Sequence, residues 1–236
     1  AEACLPEIDD TELHDDLRKA VTSKRESLAK AVWNATWGSE EIERLLTLSK
    51  GYYPVDYNAG SSADLVRDLR QLNGMVEQLA SQQLGGSLAD LGAIHQRWQA
   101  EFKAGQLINS ARLLIATMNA GTRMLEVRID ERPLCLNGNP NNQSDIVQNF
   151  FFAIYIEKIQ PYMSLVSRAH DTLIAELEQL AQQQAGVMPE SFNDWYRRHL
   201  ARDLEGSLWW ELDRAMARHT RHWQKLLGQC GLRPQA

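Results

Sequence analysis

Apolar residues recur at helical spacing along nearly the whole chain. The first stripe predicts a helix over about 9–34, and a shorter helix follows it. Further stripes predict helices over about 61–79, 87–102 and 107–125, a long one within 134–184 and a last one after Pro189. The sequence shows no β-hairpin signal and no internal repeat, and no Gly/Ser-rich linker divides it.

The pattern therefore predicts an all-α protein. We expect a single-domain helical bundle of about six to seven helices, in which a long, kinked helix lies at the centre. The domain is expected to span 1–236, with a flexible N-terminal tail over about 1–8 and a flexible C-terminal tail over about 229–236.

A turn-rich run precedes the predicted central helix. Residues 134–144 read LCLNGNPNNQS, and their Asn, Gly and Pro residues favour a turn, after which Asn142 or Ser144 is expected to cap the helix. The apolar run 150–156 predicts a segment buried on every side. Pro161 lies inside the helical pattern, so we expect a kink near 157–160.

Composition narrows the function classes only slightly. The protein has 236 residues, of which 44% are hydrophobic and 24% are charged, as in ordinary globular proteins. Its net charge of -6 argues against general nucleic-acid binding, which usually shows a basic surface. Acidic residues concentrate at the N-terminus and arginines near the C-terminus, a pattern more typical of solvated surfaces than of a partner site.

The three cysteines bear on the cellular compartment. The sequence begins Ala-Glu-Ala-Cys without an initiator Met, as a mature secreted protein would after signal cleavage, although a trimmed sequence would look the same. Cys4, Cys135 and Cys230 lack zinc-ligand spacing, and in an oxidising compartment two of them could bridge while one stays free. We expect a periplasmic or secreted protein, with the cytoplasm as the alternative.

Candidate catalytic chemistry is sparse. His219 and His222 lie at i, i+3, and His199 precedes Asp203 by four residues, but two ligands are too few for a metal site. The sequence has no nucleophile elbow, phosphate-binding loop, dinucleotide fingerprint or zinc-protease motif. We therefore predict no catalytic residue, no metal and no cofactor.

Two turn-rich segments supply the candidate binding residues. The predicted loop over 51–60 displays three tyrosines, which suit recognition, although they could equally anchor the loop onto the bundle. The second segment is the turn before the central helix. The candidate binding residues are Tyr52, Tyr53, Tyr57, Asn137, Asn139, Asn141 and Asn142.

The region around 108–180 resembles one known family. Leu134-Cys135-Leu136, the Asn/Gly/Pro turn, Gln143 and the following apolar pair with its aromatic-aliphatic helix are similar to the motif of the Rap/Tai-type immunity proteins. In that family a Cys-Leu/Ile-Pro turn precedes a Gln, an apolar pair and a Tyr-Leu helix, whereas Asn137 stands here in place of the usual proline. The resemblance implies a helical periplasmic protein that inhibits peptidoglycan amidases delivered by type VI secretion.

Together these patterns predict a non-enzymatic helical binding protein. The sharpest version is a periplasmic immunity or inhibitor protein whose loops occlude a toxin or a cell-wall hydrolase. We expect a protein partner, no nucleic acid and no transmembrane segment. One alternative is a helical sensor or adaptor domain that binds a small ligand, and another is an enzyme whose site is assembled from scattered residues. The oligomeric state stays open.

Overall fold

The computed structural model describes residues 2–55 and 62–232, and within them the protein is helical with no strand. Shorter helical turns are Glu2–Glu7, Glu40–Leu45, Leu48–Lys50 and Ala185–Val187. The longer helices are α1 (Thr11–Ala35), α2 (Ala63–Ala80), α3 (Leu91–Trp98), α4 (Lys103–Asp130), the long bent α5 (142–182), α6 (Glu190–His199) and α7 (Leu208–Gly228). The predicted all-α architecture, with about six to seven helices and a long bent one, is confirmed.

The helices α4 and α7 form the most extensive contact in the bundle. Apolar side chains recur on one face of each helix at i, i+3 and i+4, so both helices turn a continuous stripe inward. Leu107, Ile108 and Leu114 of α4 are buried, as are Trp209 and Leu227 of α7. The helix α2 packs against the last segment of α5 and extends the same core.

The helix α5 is interrupted by two π-helical segments. Its segments are α-helical Asn142–Phe150, π-helical Phe151–Ile159, α-helical Gln160–Ala169, π-helical His170–Ile174 and α-helical Ala175–Gln182. Pro161 has no N–H and cannot donate to the carbonyl of Glu157, which accounts for a break in the α-helical pattern beside it. The first π-helical segment accordingly overlaps the kink predicted near 157–160.

The apolar run that begins at Phe150 is not buried on every side, and that prediction is wrong. Phe151 and Tyr155 are buried and lie against the Trp223 ring of α7, with ring centroids 5.1 Å and 6.0 Å away. Phe150 and Phe152 are 52% and 43% exposed. The reason is that the helix packs on neighbours along one face only, while its other face meets solvent.

Two further expectations differ from the structure. The last predicted helix is divided into α6 and α7 by the segment 200–207, where Gly206 has a φ of 81° that continues neither helix. The C-terminal tail expected from about 229 instead begins with residues of the fold, since Cys230 is buried and disulfide-bonded. At the N-terminal end, Glu2–Glu7 is a 3-10 helix, and the carboxylate of Glu2 pairs with the guanidinium of Arg25 at 2.6 Å.

None of the described helices combines the length and the apolarity needed to cross a membrane.

Candidate functional site

The loop over 131–141 joins α4 to α5, and a disulfide fixes it to the end of α7. Cys135 and Cys230 are bonded, and both are buried. Cys4 is exposed and unbridged. Of the cysteine pairings that the sequence left open, the structure contains the one between Cys135 and Cys230.

The side chain of Gln229 makes a second attachment of the same loop. Its Nε2 donates to the carbonyl of Ile129 at 3.1 Å, and its Oε1 accepts from the backbone N–H of Leu134 at 3.0 Å. One amide therefore holds the last turn of α4 and the start of the loop against the end of α7.

Asn141 is the N-cap of α5, a role for which the sequence favours Asn142 or Ser144. Its Oδ1 accepts from the backbone N–H groups of Gln143 at 2.9 Å and of Ser144 at 3.1 Å, while its Nδ2 donates to the carbonyl of Leu134 at 2.9 Å. Ser144 completes a capping box by accepting from the N–H of Asn141 at 2.8 Å. Asn141 is exposed, in agreement with the predicted display, but these bonds already occupy its side-chain oxygen and nitrogen within the fold.

The tip of the loop is exposed above this fixed base. Asn137 and Gly138 have φ values of 57° and 76°, a left-handed conformation that Gly adopts freely and Asn adopts more readily than most residues. Asn137, Asn139 and Asn142 are exposed, as predicted, and Leu136 beside them is 76% exposed. A large apolar side chain thus projects into solvent from a rigidly held turn.

Exposed apolar side chains occur on the first turns of α5 as well as on the loop. Ile146 is exposed, and Phe150, one turn further, is half exposed. Contiguous exposed apolar residues commonly mark interaction sites on soluble proteins. We call the exposed residues of this region the corner surface; they are Leu136, Asn137, Asn139, Asn142, Ile146 and Phe150.

A groove of about 440 Å³ lies beside the corner surface. It is lined by Arg128, Arg132, Gln143, Ile146 and Val147, so two cations face an apolar wall, and none of the described residues contributes a carboxylate to its lining. The guanidinium of Arg128 donates to the carbonyl of Arg132, and to Oε1 of Gln143 at 3.1 Å. Among the described residues, the guanidinium of Arg132 has no hydrogen-bond or ion-pair partner.

The two described tyrosines of the tyrosine loop lie in different environments. Tyr53 is only 1% exposed; its N–H donates to Ser110 Oγ at 2.8 Å, and its carbonyl accepts from the Tyr162 hydroxyl at 2.9 Å. Tyr53 therefore anchors the loop, and its predicted display is wrong. Tyr52 is 54% exposed, in agreement with display, and Tyr57 lies outside the described residues.

The described part of the tyrosine loop, which ends at Val55, does not meet the corner surface in one site. The tyrosine loop is attached to α4 at Ser110, whereas the corner surface follows the end of α4 at Asp130. At 1.5 Å per residue these positions are about 30 Å apart along the helix. The corner surface is the better candidate site, because its base is fixed and its apolar side chains are displayed.

The histidines noted in the sequence belong to the core or to surface pairs. Trp223 Nε1 donates to His219 Nε2 at 3.0 Å, and the other ring nitrogen lies 3.2 Å from Thr122 Oγ1, so it carries the proton. Burial lowers the pKa of His219 to about 4, and the neighbouring His222 contributes to the same decrease. Within 2–55 and 62–232, no group of three or more His, Cys, Asp or Glu side chains could hold a metal ion.

Sequence reasoning missed the groove and the attachment through Gln229. Arg128 and Arg132 lie at i, i+4 just before Pro133, and this spacing was available as a signal that both face one side of the helix end. No comparable signal marks Gln229, because its partners lie about a hundred residues earlier in the sequence.

Comparisons with known proteins give one match. No curated protein and no solved structure matches the sequence. A family model described as "Protein of unknown function (DUF3080)" matches residues 1–234. Because this match extends over nearly the whole sequence, the protein belongs to the DUF3080 family.

Proposed function

We propose that the protein is a non-enzymatic helical binding protein that contacts a protein partner through the corner surface. The observation that carries the proposal is Leu136, which is 76% exposed on a loop held by a disulfide, by Gln229 and by the Asn141 cap. A loop that is already ordered loses little conformational entropy on binding, so more of its contact energy becomes affinity.

The sharper form of this proposal is an inhibitor or immunity protein. Its loop would enter the cleft of a toxin or a peptidoglycan hydrolase and occlude it, with Leu136 and Phe150 as the apolar contacts that contribute most of the binding energy. The resemblance of the 134–147 region to Rap/Tai-type immunity proteins supports this form, and so does the displayed turn.

A periplasmic or secreted location belongs to the same proposal. The Cys135–Cys230 disulfide supports it, because disulfides persist in oxidising compartments and are rare in the cytosol. Thiol titration of the denatured, unreduced protein taken from its source cells should then find one free cysteine. Three free thiols would contradict the location and would also remove the disulfide from the base of the corner surface.

A capture experiment tests the binding function. Immobilised protein is exposed to an envelope extract of the source cells, alongside the Leu136→Ser variant and the control Leu88→Ser, which alters a leucine 48% exposed on the loop between α2 and α3. We expect a protein retained by the wild type and by the control, and bound at least about 10-fold more weakly by Leu136→Ser. All three proteins should have the same melting temperature, since both leucines are exposed.

Two outcomes would overturn the proposal. In the first, the retained protein binds Leu136→Ser as well as the wild type, which would move the interface away from the corner surface. In the second, no protein is retained and a small molecule from the extract raises the melting temperature instead, which would favour the sensor alternative.

A further inference from the structure

We propose that the groove beside the corner surface binds an acidic side chain, Asp or Glu, that lies next to an apolar residue in an internal segment of the protein partner. This inference rests on the proposed function and names the chemistry that the partner presents. The groove is lined by Arg128, Arg132, Gln143, Ile146 and Val147, which combine cationic, polar and apolar walls.

The two arginines differ in how they are held. Arg128 donates to the carbonyl of Arg132 and to Gln143 Oε1 at 3.1 Å, so its guanidinium is oriented before any ligand arrives. Arg132 is exposed, and its guanidinium has no partner among the described residues. A guanidinium presents parallel N–H groups that match the two oxygens of a carboxylate, and Arg132 is free to use them.

The electrostatics of the groove select an anion. Two positive charges lie on its wall, and within 2–55 and 62–232 no carboxylate lines it, although the protein as a whole has a net charge of -6. The Asp130 carboxylate is 3.5 Å from Lys225 Nζ, so it is paired with a residue outside the groove. A partner carboxylate would therefore meet uncompensated positive charge in the groove.

The opposite wall of the groove selects an apolar neighbour for that carboxylate. Ile146 is exposed and Val147 is half-buried, so both offer aliphatic surface beside the arginines. A leucine or isoleucine adjacent to the acidic residue would cover this surface and remove its own apolar side chain from water. Free anions lack this second contact.

The cap of α5 favours an acidic side chain over the terminal carboxylate of a partner. Terminal carboxylates are typically captured by backbone N–H groups, whereas clusters of arginine recognise acidic motifs. Here the backbone N–H groups of Asn141, Gln143 and Ser144 are already bonded within the capping box. These three N–H groups are therefore not available to a terminal carboxylate, whereas the guanidinium of Arg132 has no partner among the described residues.

An NMR titration of the intact protein tests the inference. The probe is the acetylated and amidated heptapeptide Gly-Ser-Leu-Asp-Leu-Ser-Gly, and the matched peptide replaces Asp by Asn. We expect the Asp peptide to shift the resonances of Arg132 and Ile146 and to bind at least about 10-fold more tightly than the Asn peptide. Arg132→Gln should remove that preference. The control Arg123→Gln, which alters an exposed arginine within α4, should retain it.

The possible outcomes separate this inference from the proposed function. Equal binding of the Asp and Asn peptides, or no shift at the groove, overturns the acidic-motif inference. Displacement of the Asp peptide by equimolar inorganic phosphate also overturns it, since the groove would then be a general anion site. If the peptide binds as expected but Leu136→Ser retains every captured protein, the inference stands as groove chemistry and the proposed role of the corner surface fails.

Discussion

Removal of the Cys135–Cys230 disulfide should cost the protein a large part of its stability. The two cysteines are 95 residues apart, so the bridge closes most of the C-terminal half of the sequence into one loop. The loop-closure entropy of the unfolded state for that length corresponds to about 4.7 kcal/mol at 25 °C. Measured losses for native bridges are usually about 2–5 kcal/mol, so we expect a decrease of about 3–4 kcal/mol in the free energy of unfolding.

Urea unfolding measures this loss directly. The double variant Cys135→Ser with Cys230→Ser is compared with the wild type and with Cys4→Ser, whose cysteine is exposed and unbridged. The double variant should unfold at a lower urea concentration, whereas Cys4→Ser should match the wild type. Dithiothreitol should lower the midpoint of the wild type and leave that of the double variant unchanged. A loss below about 1 kcal/mol, or no effect of dithiothreitol, would refute the bridge and with it the rigid base of the corner surface.

The remaining predictions concern the core. Phe151→Asp should unfold the protein or leave it insoluble, because it places an unpaired charge in the core. Phe152→Asp, at a position that is 43% exposed, should change the free energy of unfolding by less than about 1 kcal/mol. Equal behaviour of the two variants in a thermal melt would contradict the one-sided burial of this segment. Gly105→Ala should lower the free energy of unfolding by about 1–3 kcal/mol, since its Cβ would overlap the carbonyl oxygen of Thr47. Gly74→Ala lies in a helix with open space around the new Cβ, so it should raise the free energy of unfolding by about 0.5–1 kcal/mol. Urea unfolding measures both changes. His219 has a pKa lowered from 6.5 to about 4, so the unfolded state binds this proton first as the pH falls. The contribution of the neutral His219 ring to stability is therefore full above about pH 6.5 and falls below it. Between pH 7 and pH 5 the free energy of unfolding of the wild type should decrease by about 1–2 kcal/mol more than that of His219→Gln. Parallel plots of unfolding free energy against pH would contradict a buried neutral ring.

The helices and the turn could be predicted because their signals are local. The stripe through Leu107 and Leu114 depends only on the spacing of apolar residues, and the Asn137-Gly138 tip depends on residues that tolerate a positive φ. Tyr53 shows the limit of such signals. Whether its ring is displayed or buried depends on Ser110 and Tyr162, which lie far away in the sequence.

The parts of the site that escaped prediction depend on contacts between distant segments. The cysteine pairing could not be deduced from three cysteines, because connectivity follows from the fold. Burial at Phe150 was overestimated because an apolar run indicates what can be buried, whereas the number of neighbouring helices decides which faces are covered. The groove needs the end of α4 and the start of α5 to meet, which only the loop geometry determines.

Site-specific photo-crosslinking in the source cells tests the central claim most directly. A photoreactive amino acid is placed at Leu136 in one variant and at Leu88 in another, and both are irradiated in intact cells. The proposed function predicts a discrete adduct with one protein from position 136 and none from position 88. No adduct from position 136, or the same adducts from both positions, would contradict a partner-binding role for the corner surface.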